Sequence, residues 1–304
     1  MITGNGSRTF STQKHVQGHW DTSISKTSNG LARGLLSYLS YKRKGVDALA
    51  RAMGAQTPGF VFDAGAGKGA YAHWFLGKKT TTIIAIDWSF DALRGLCAPR
   101  QGCIIPVCAD LHMLPFKSGV ADALYSIDTL GHMDNCAKAL DEFFRICKPA
   151  SLLFIHSECN DYRLRWPDRW LIKRLHKDLL AEYDGHLSLH RTEELYALYS
   201  RRFHVKSFVN PAGYFGWLLG YPEKYRMAFA AARFKSMTLI TSIFAMLKKL
   251  PIIGICVRFV NAFTNHCEVF FGLQGGGSCF AALKTPDQST QDKIRHPSEI
   301  PDGV

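Results

Sequence analysis

Phe60-Val-Phe-Asp-Ala-Gly-Ala-Gly-Lys-Gly-Ala-Tyr71 is the stretch that decides the fold of this 304-residue chain. It begins with a short apolar run, which predicts a buried parallel strand. After Asp63 come three glycines, Gly65, Gly67 and Gly69. Glycines that lead from a strand into a helix let a ligand approach the backbone, because no Cβ is in the way. The start of the helix also offers unpaired N–H groups. The stretch therefore predicts a cofactor-binding loop.

The loop by itself fits two kinds of cofactor. Its spacing, Gly65-x-Gly67-x-x-Ala70, also matches the dinucleotide fingerprint, in which Asp87 would bind a ribose. A carboxylate two residues before the first glycine is instead placed to face a cationic ligand rather than a pyrophosphate. Three successive apolar runs each end in an acid, at Asp63, Asp87 and Asp110.

The order and spacing of the motifs over roughly residues 55 to 160 resemble the class I S-adenosylmethionine-dependent methyltransferases of the small-molecule branch. The motifs after the loop are Asp87-Trp88, Asp110-Leu111, Leu114-Pro-Phe116, Ala121-Asp-Ala-Leu-Tyr-Ser126 and Glu142-Phe-Phe-Arg-Ile-Cys-Lys-Pro-Ala150. One departure is Ala150, where the family usually has glycine at the turn into the fifth strand.

The resemblance implies an enzyme that uses S-adenosyl-L-methionine. The residues then expected at the cofactor are Asp63, Gly65, Ala66, Gly67, Gly69, Asp87, Trp88, Asp110, Leu111 and Ser126. Asp63 and the glycines would line the methionine end, Asp87 the ribose hydroxyls, and Asp110-Leu111 the adenine.

The alternation of apolar runs and helical patterns predicts an α/β fold. With the resemblance, this is a Rossmann-like seven-stranded methyltransferase sheet with helices on both faces and a mainly helical insertion before the last strand. The expected divisions are an N-terminal helical cap at 1–54, interrupted by a turn at Lys42–Gly45, a core at 55–211 and 275–285, a substrate-side insert at 159–191, an insertion at 212–274 and a disordered tail at 286–304.

Candidate catalytic residues follow the fourth and fifth strands, because ligands of such sheets bind at the carboxyl ends of the strands. The sulfonium already activates the methyl group, so the protein mainly aligns a nucleophile, although an oxygen nucleophile can need a base. His132 is the best-placed base, with Asp128 behind it. The residues expected on the substrate side are His156, Glu158, Arg163, Arg165 and Trp166.

Other residue clusters are weaker signals of function. His186-x-x-x-His190 has a metal-like spacing but no evident third ligand, so we interpret it as structural or solvated and expect no metal. Cys108 lies on the third strand, which is the wrong place for a nucleophile. Ser126-Ile-Asp-Thr129 stands where amino-methylating enzymes carry their motif, which leaves O- or C-methylation.

The composition bears on the cellular compartment and on the partners of the protein. Nine cysteines without a Cys-x-x-Cys pair, and a polar N-terminus, lead us to expect a cytosolic protein. A net charge of +12 suits nucleic acid, anionic lipid or acidic substrates equally well.

The insertion at 212–274 is the most unusual segment. From Lys224 to Cys267 it contains seven Lys or Arg and no acid. Its apolar runs, 236–247 and 250–257, are shorter than the about 20 residues that cross a bilayer. Two hypotheses stay open: peripheral membrane contact through about 224–260, or a helical subdomain that closes the core or dimerises.

The leading functional hypothesis is methyl transfer to a small lipophilic or anionic acceptor, either in solution or at a membrane surface. One alternative is an RNA methyltransferase that uses the basic segment at 159–177, but no appended RNA-binding motif is visible, so nucleic acid is not the expected partner. A second alternative is a cofactor-binding protein that regulates a partner without doing chemistry. The sequence leaves the acceptor and the oligomeric state open.

Overall fold

Seven strands form one sheet in the computed structural model, which describes residues 41–53, 59–72, 81–96 and 103–287. They are β1 (Gly59–Ala64), β2 (Thr81–Asp87), β3 (Cys103–Cys108), β4 (Ala121–Ile127), β5 (Cys147–Glu158), β6 (His204–Val209) and β7 (Ser278–Lys284). Their order is β3-β2-β1-β4-β5-β7-β6, and all neighbours are parallel except where β7 pairs with β5 and β6. The predicted Rossmann-like fold is confirmed.

Nine α-helices accompany the sheet in the described residues. They are α1 (Tyr41–Ala52), α2 (Phe90–Arg94), α3 (Cys136–Ile146), α4 (Asp168–Leu175), α5 (Leu179–Asp184), α6 (Thr192–Ser200), α7 (Pro222–Ala231), α8 (Lys235–Lys249) and α9 (Pro251–Phe270). Short turns of 3₁₀-helix cover Leu130–His132 and Asp161–Leu164. The helix expected after the glycine loop, most of the N-terminal cap and the tail beyond 287 lie outside the described residues.

The two faces of the sheet bury alternate residues of the same strands. On one face, α3 packs its apolar side, including Leu140 and Phe143, against Leu124. On the other face, α1 packs Val46 against Tyr125. This alternation is what a strand with helices on both sides requires. It places the carboxyl ends of β1, β2, β4 and β5 at one shared edge.

The prediction of a turn at Lys42–Gly45 is wrong, because α1 runs through these residues without a break. Gly45 is where the helix crosses β5 most closely: a Cβ there would lie 2.0 Å from the ring of Phe154. The basic residues point to partners, Lys42 to Asp128 and Arg43 to Asp47. The charge run is therefore part of a packed helix and not a turn.

The insertion at 212–274 leaves and rejoins the sheet at one point. Pro211 and Gln274 form an antiparallel bridge. The Asn210 side chain accepts a hydrogen bond from the Gly276 amide at 2.9 Å, and its backbone carbonyl accepts one from the Gly275 amide at 3.3 Å. The two ends of the insertion are thus fastened to each other.

Inside the insertion lie α7, α8 and α9. The second apolar run, predicted at 250–257, belongs to a longer helix of 20 residues. Among the described helices, none is by itself both long and apolar enough to cross a membrane; by length and composition alone, the bent pair formed by 235–249 and 252–270, with 112° between its halves, could.

Candidate active site

The glycine loop follows β1 directly and is tight on one side and open on the other. Gly65 and Gly67 both have positive φ angles, +83° and +52°. A Cβ at Gly65 would lie 2.2 Å from Oγ1 of Thr129, whereas a Cβ at Gly67 would meet no atom within 4 Å. The sequence keeps side chains away from this space, as a backbone that receives a ligand requires.

Asp87, at the end of β2, borders the open side of the loop. Its carboxylate accepts hydrogen bonds from the Gly67 amide at 2.8 Å and from the Ser89 amide at 2.9 Å. These two bonds fix the carboxylate relative to the loop. Trp88, the next residue, is 44% exposed. The structure thus places Asp87 beside the glycine loop, and the sequence assigned both to the cofactor.

The segment after β3 is held in place by α3. Asp110 is largely exposed and Leu111 is buried. Just beyond them, the Leu114 amide donates to Glu142 at 2.6 Å and the Leu114 carbonyl accepts from Arg145 at 3.0 Å. Arg145 and Glu142 pair with each other at 2.7 Å. The two motifs that looked separate in the sequence therefore form one contact that positions Asp110 and Leu111.

Two residues that were predicted to bind the cofactor, Asp63 and Ser126, show buried hydrogen bonds close to the glycine loop. Asp63 is 2% exposed and accepts a hydrogen bond from the Tyr125 hydroxyl at 2.9 Å, and burial raises the pKa of Asp63 to about 7. Ser126 is fully buried, and its hydroxyl donates to the Ala64 carbonyl at 2.9 Å. The Ser126 side chain therefore supports the loop, and its contact with the cofactor stays a prediction. Ala66 and Gly69 belong to the same loop, and Ala66 is buried.

A cavity of about 570 Å³, which we call the strand-end cavity, opens at the carboxyl ends of β4 and β5. Its size is typical of sites for small molecules. The polar lining from the two strand ends consists of Asp128, His132, His156 and Glu158. The aromatic lining consists of Tyr41, Tyr162, Trp166, Tyr183, Tyr214, Trp217, Tyr221, Tyr225 and Phe280. The structure therefore gathers both candidate catalytic residues and four of the five substrate-side residues, all but Arg163, in one place.

Asp128 is committed to two partners. Its carboxylate pairs with Lys42 of α1 and lies 2.7 Å from Nδ1 of His156, which is 2% exposed. Burial would raise the pKa of Asp128, but the Lys42 ammonium and His156 hold it well below its usual range. Burial and Lys42 lower the pKa of His156. Asp128 is thus a fixed anion of a buried network, held at a φ of +57°.

A second polar group lies beside it. His132 has its Nδ1 3.2 Å from the Gly185 carbonyl, and its ring centroid is 4.7 Å from that of His186. His186 Nε2 is 3.9 Å from Oε1 of Glu158. Burial and the Asp128 charge raise the pKa of Glu158 to about 8, and burial and His132 lower that of His186 to about 4.

His186 was interpreted from the sequence as structural or solvated; its side chain is only 9% exposed, so it is not solvated. The chain bends after α5 so that its ring lines the cavity. His190 differs: its Nε2 contacts Sγ of Cys136 at 3.2 Å. The His-x-x-x-His spacing did not identify the group, because His190 lies outside it and the other two members, His132 and Glu158, stand 54 and 28 residues before His186 in the chain.

The residues of the basic aromatic segment after β5 fall into two groups, those that line the cavity and those that do not. Arg165 and Trp166 line the cavity, and Arg165 lies 4.6 Å over the ring of Tyr214. Arg163 does not line it, because its Nε pairs with the Asp178 carboxylate at 2.7 Å. The substrate-side prediction therefore stands as a prediction for Arg165 and Trp166 and is corrected for Arg163.

Sequence reasoning missed two cavity residues that carry charge. Lys42 was assigned to a turn, and Lys224 was counted among cations without acidic partners. In the structure Lys224 pairs with Asp184, and Lys42 pairs with Asp128, 86 residues away. No local pattern signals either pair, because both depend on how distant segments meet.

Comparison with known proteins supports the fold and the domain. A family model described as "Methyltransferase domain" matches residues 62–155. The solved cyclopropane synthase MmaA2 from Mycobacterium tuberculosis is 13% identical, with 81% of this chain and 86% of that chain covered and a TM-score of 0.50. A geranyl diphosphate C-methyltransferase from Streptomyces coelicolor A3(2), in complex with Mg2+, geranyl diphosphate and S-adenosyl-L-homocysteine, is 14% identical, with 80% of each chain covered and a TM-score of 0.48. The search of curated proteins found no match.

The 3-2-1-4-5-7-6 strand order, with its glycine loop after β1, defines a class I, Rossmann-like methyltransferase fold. The matched domain spans β1 to β5, which contain that loop and the acids at the strand ends. Residues 62–155 thus form a methyltransferase domain of the class I fold, and the cofactor of the enzyme is S-adenosyl-L-methionine. Both expectations from the sequence are confirmed.

Proposed function

We propose that this enzyme methylates an oxygen or an activated carbon of a small lipophilic acceptor, which it meets at an anionic membrane surface. The observation that carries the proposal is the continuity between the aromatic strand-end cavity and the insertion. The insertion supplies Trp217, Tyr221 and Tyr225 to the cavity wall, and it exposes apolar side chains on its outside. A route from bilayer to cavity would then run along one segment.

For the cofactor half, we assign roles to the residues around the glycine loop. The open space at Gly67 and the fixed carboxylate of Asp87 fit the ribose end of S-adenosylmethionine, and Asp110 with Leu111 would hold the adenine. The bound cofactor supplies a methyl group activated by a sulfonium. The chain's own residues would orient the acceptor and exclude water, which is a proximity effect.

A lipophilic acceptor is favoured over an anionic one. Three cations line the cavity, but each already has a partner: Lys42 pairs with Asp128, Lys224 with Asp184, and Arg165 donates to the Ala212 carbonyl at 2.9 Å. An anion would have to compete for them. The aromatic walls offer apolar surface without such competition.

The acceptor proton would be taken within the group around His132. Asp128 is held by Lys42 and His156, so it is poorly placed to act as a base. His132 and Glu158 both line the cavity, which leaves them as the candidate groups for this step.

The outer surface of the insertion fits a membrane interface. The exposed apolar side chains on α8, α9 and the residues just after them include Leu239, Met246, Ile252, Phe263, Phe270 and Phe271. Within the described residues, Arg233, Lys235 and Lys249 are exposed and form no ion pair. Exposed apolar surface flanked by cations is the composition that binds anionic lipid peripherally.

Liposome flotation tests the membrane part. Wild type should bind vesicles that contain anionic lipid at low salt, and binding should weaken as salt rises. Lys248 is a poor residue to alter, because it donates to the Gly220 carbonyl. Lys235→Glu/Lys249→Glu should lower the partition coefficient about 30-fold or more, since each cation contributes about 1 kcal/mol.

The matched control is Lys117→Glu/Lys138→Glu, which makes the same charge change at two exposed lysines of the sheet domain. This variant should bind like wild type. Absence of binding by wild type at low salt, or equal loss in both variants, refutes the membrane part. A separate assay then incubates the enzyme with methyl-labelled S-adenosylmethionine and either a lipid extract, a water-soluble extract or total RNA. Label confined to RNA or to the water-soluble extract refutes the lipophilic acceptor.

A further inference from the structure

Three side chains in the strand-end cavity form a set of the kind that binds transition metals. His132, Glu158 and His186 each present one donor atom, and the three atoms lie within 4.8 Å of one another. Two imidazoles and one carboxylate are a common donor set for divalent first-row ions. The residues come from three different elements: the turn after β4, the end of β5 and the loop after α5.

The surroundings favour an ion over a plain hydrogen-bonded cluster. Oε2 of Glu158 is closed to solvent and accepts no hydrogen bond from any residue that the structure describes. A buried carboxylate oxygen in that state costs free energy unless something electropositive reaches it. The chain also comes close on the other side, because a Cβ at Gly131 would lie 2.9 Å from this oxygen.

The two histidines are placed to act as metal ligands. An imidazole whose Nδ1–H donates to a carbonyl, as His132 does to Gly185, has its lone pair on Nε2, and metal-binding histidines commonly show this arrangement. His186 is largely buried, and its Nε2 lies 3.9 Å from Oε1 of Glu158.

The neighbouring set of Asp128, His156 and Glu158 is the weaker alternative, although its donor atoms are also close. Lys42 already neutralises Asp128, and an ammonium at that distance repels a cation. Glu158 is shared by both sets, so its orientation toward His186 decides between them.

We propose that His132, Glu158 and His186 bind one divalent transition cation, such as Zn²⁺, at the floor of the strand-end cavity. Three protein ligands leave a coordination position for an acceptor oxygen. With the ion bound, His132 and Glu158 act as ligands and not as bases. A hydroxyl bound to the ion would then lose its proton to solvent, and its oxygen would form a bond to the methyl carbon as the carbon–sulfur bond breaks, with that electron pair passing to sulfur. The catalytic use of the ion rests on the proposed methyl transfer, whereas its binding does not.

The test uses cobalt(II) as a spectroscopic probe on the full chain, stripped of metal with a chelator. Wild type should bind one equivalent, with ligand-field absorption in the visible range. His186→Ala and Glu158→Gln should each weaken cobalt binding at least about 100-fold, because each removes a direct ligand. His190→Ala, four residues from His186 and outside the cluster, should bind cobalt like wild type.

Folding and cofactor affinity are measured for every variant, by circular dichroism and by calorimetric titration with S-adenosylmethionine. A variant that keeps both but loses cobalt supports the site. Failure of wild type to bind cobalt stoichiometrically, or unchanged binding in both His132→Ala and His186→Ala, overturns it. If cobalt binds as expected but no extract is methylated, the metal site stands and the proposed acceptor is wrong.

Discussion

Replacing Gly67 by alanine should separate backbone strain from ligand contact. Gly67 has a φ of +52°, and its added Cβ would meet no protein atom within 4 Å. Gly119 provides a matched control, since it has a φ of +69° and the same free space, but lies before β4, at the end of the sheet away from the loop. The two substitutions therefore impose the same kind of strain, and only one of them points into the proposed cofactor space.

The expected magnitudes follow from this difference. A left-handed alanine costs about 1–2 kcal/mol, so both variants should lose about that much free energy of unfolding. The strain is present with and without ligand, so it cancels in the dissociation constant. A methyl group forced into an occupied space costs about 1–3 kcal/mol more. Gly67→Ala should then bind S-adenosylmethionine about 5- to 150-fold more weakly, and Gly119→Ala should bind it normally.

Calorimetric titration gives the dissociation constants, and urea unfolding gives the stabilities. The reasoning fails if Gly67→Ala binds the cofactor within twofold of wild type, because the open space would then not be where the ligand lies. It also fails if Gly119→Ala weakens binding as much, because the effect would then come from strain and not from contact.

Two further predictions concern the buried carboxyl of Asp63 and the strained backbone of Ala150, which lies at the start of β5. Asp63 has a pKa of about 7 in the folded protein, against about 3.9 unfolded. The folded state therefore binds more protons between pH 4 and 7, and the contribution of Asp63 to the free energy of unfolding should fall by up to about 1.4 kcal/mol per pH unit as the pH rises through that window. Urea unfolding of wild type and Asp63→Asn at several pH values checks this, and parallel pH dependences would contradict it. Ala150 has a φ of +62°, so Ala150→Gly should raise the free energy of unfolding by about 0.5–1 kcal/mol; an unchanged or lower urea midpoint argues against strain there.

The sheet could be predicted because its signals are local. The parallel strands are short, mainly apolar runs, and the loop glycines stand directly after one of them, so order and spacing were enough. Even Ala150, noted as a departure from glycine, lies at a positive φ. These features depend on residues that are close together in the chain.

The cavity could not be predicted to the same depth, because its residues meet only after folding. Lys42 looked like part of a turn until its partner Asp128 was known. Ser126 stands at the expected strand end, yet the close approach of β1 buries its hydroxyl against Ala64. His186 and Glu158 carry no shared pattern in the sequence. Tertiary contacts decided each case.

The hydrogen bonds of Asn210 make the insertion a structural unit that is separate from the sheet. Because the residues before and after the insertion bond to each other, the sheet keeps its pairing whatever the intervening helices contain. Substitutions between 212 and 274 can reshape the cavity wall and the outer surface without reaching the loop at Gly67. Such a design lets selection change the acceptor while the methyl donor stays the same, and it makes the insertion a unit that could be exchanged between enzymes of this fold.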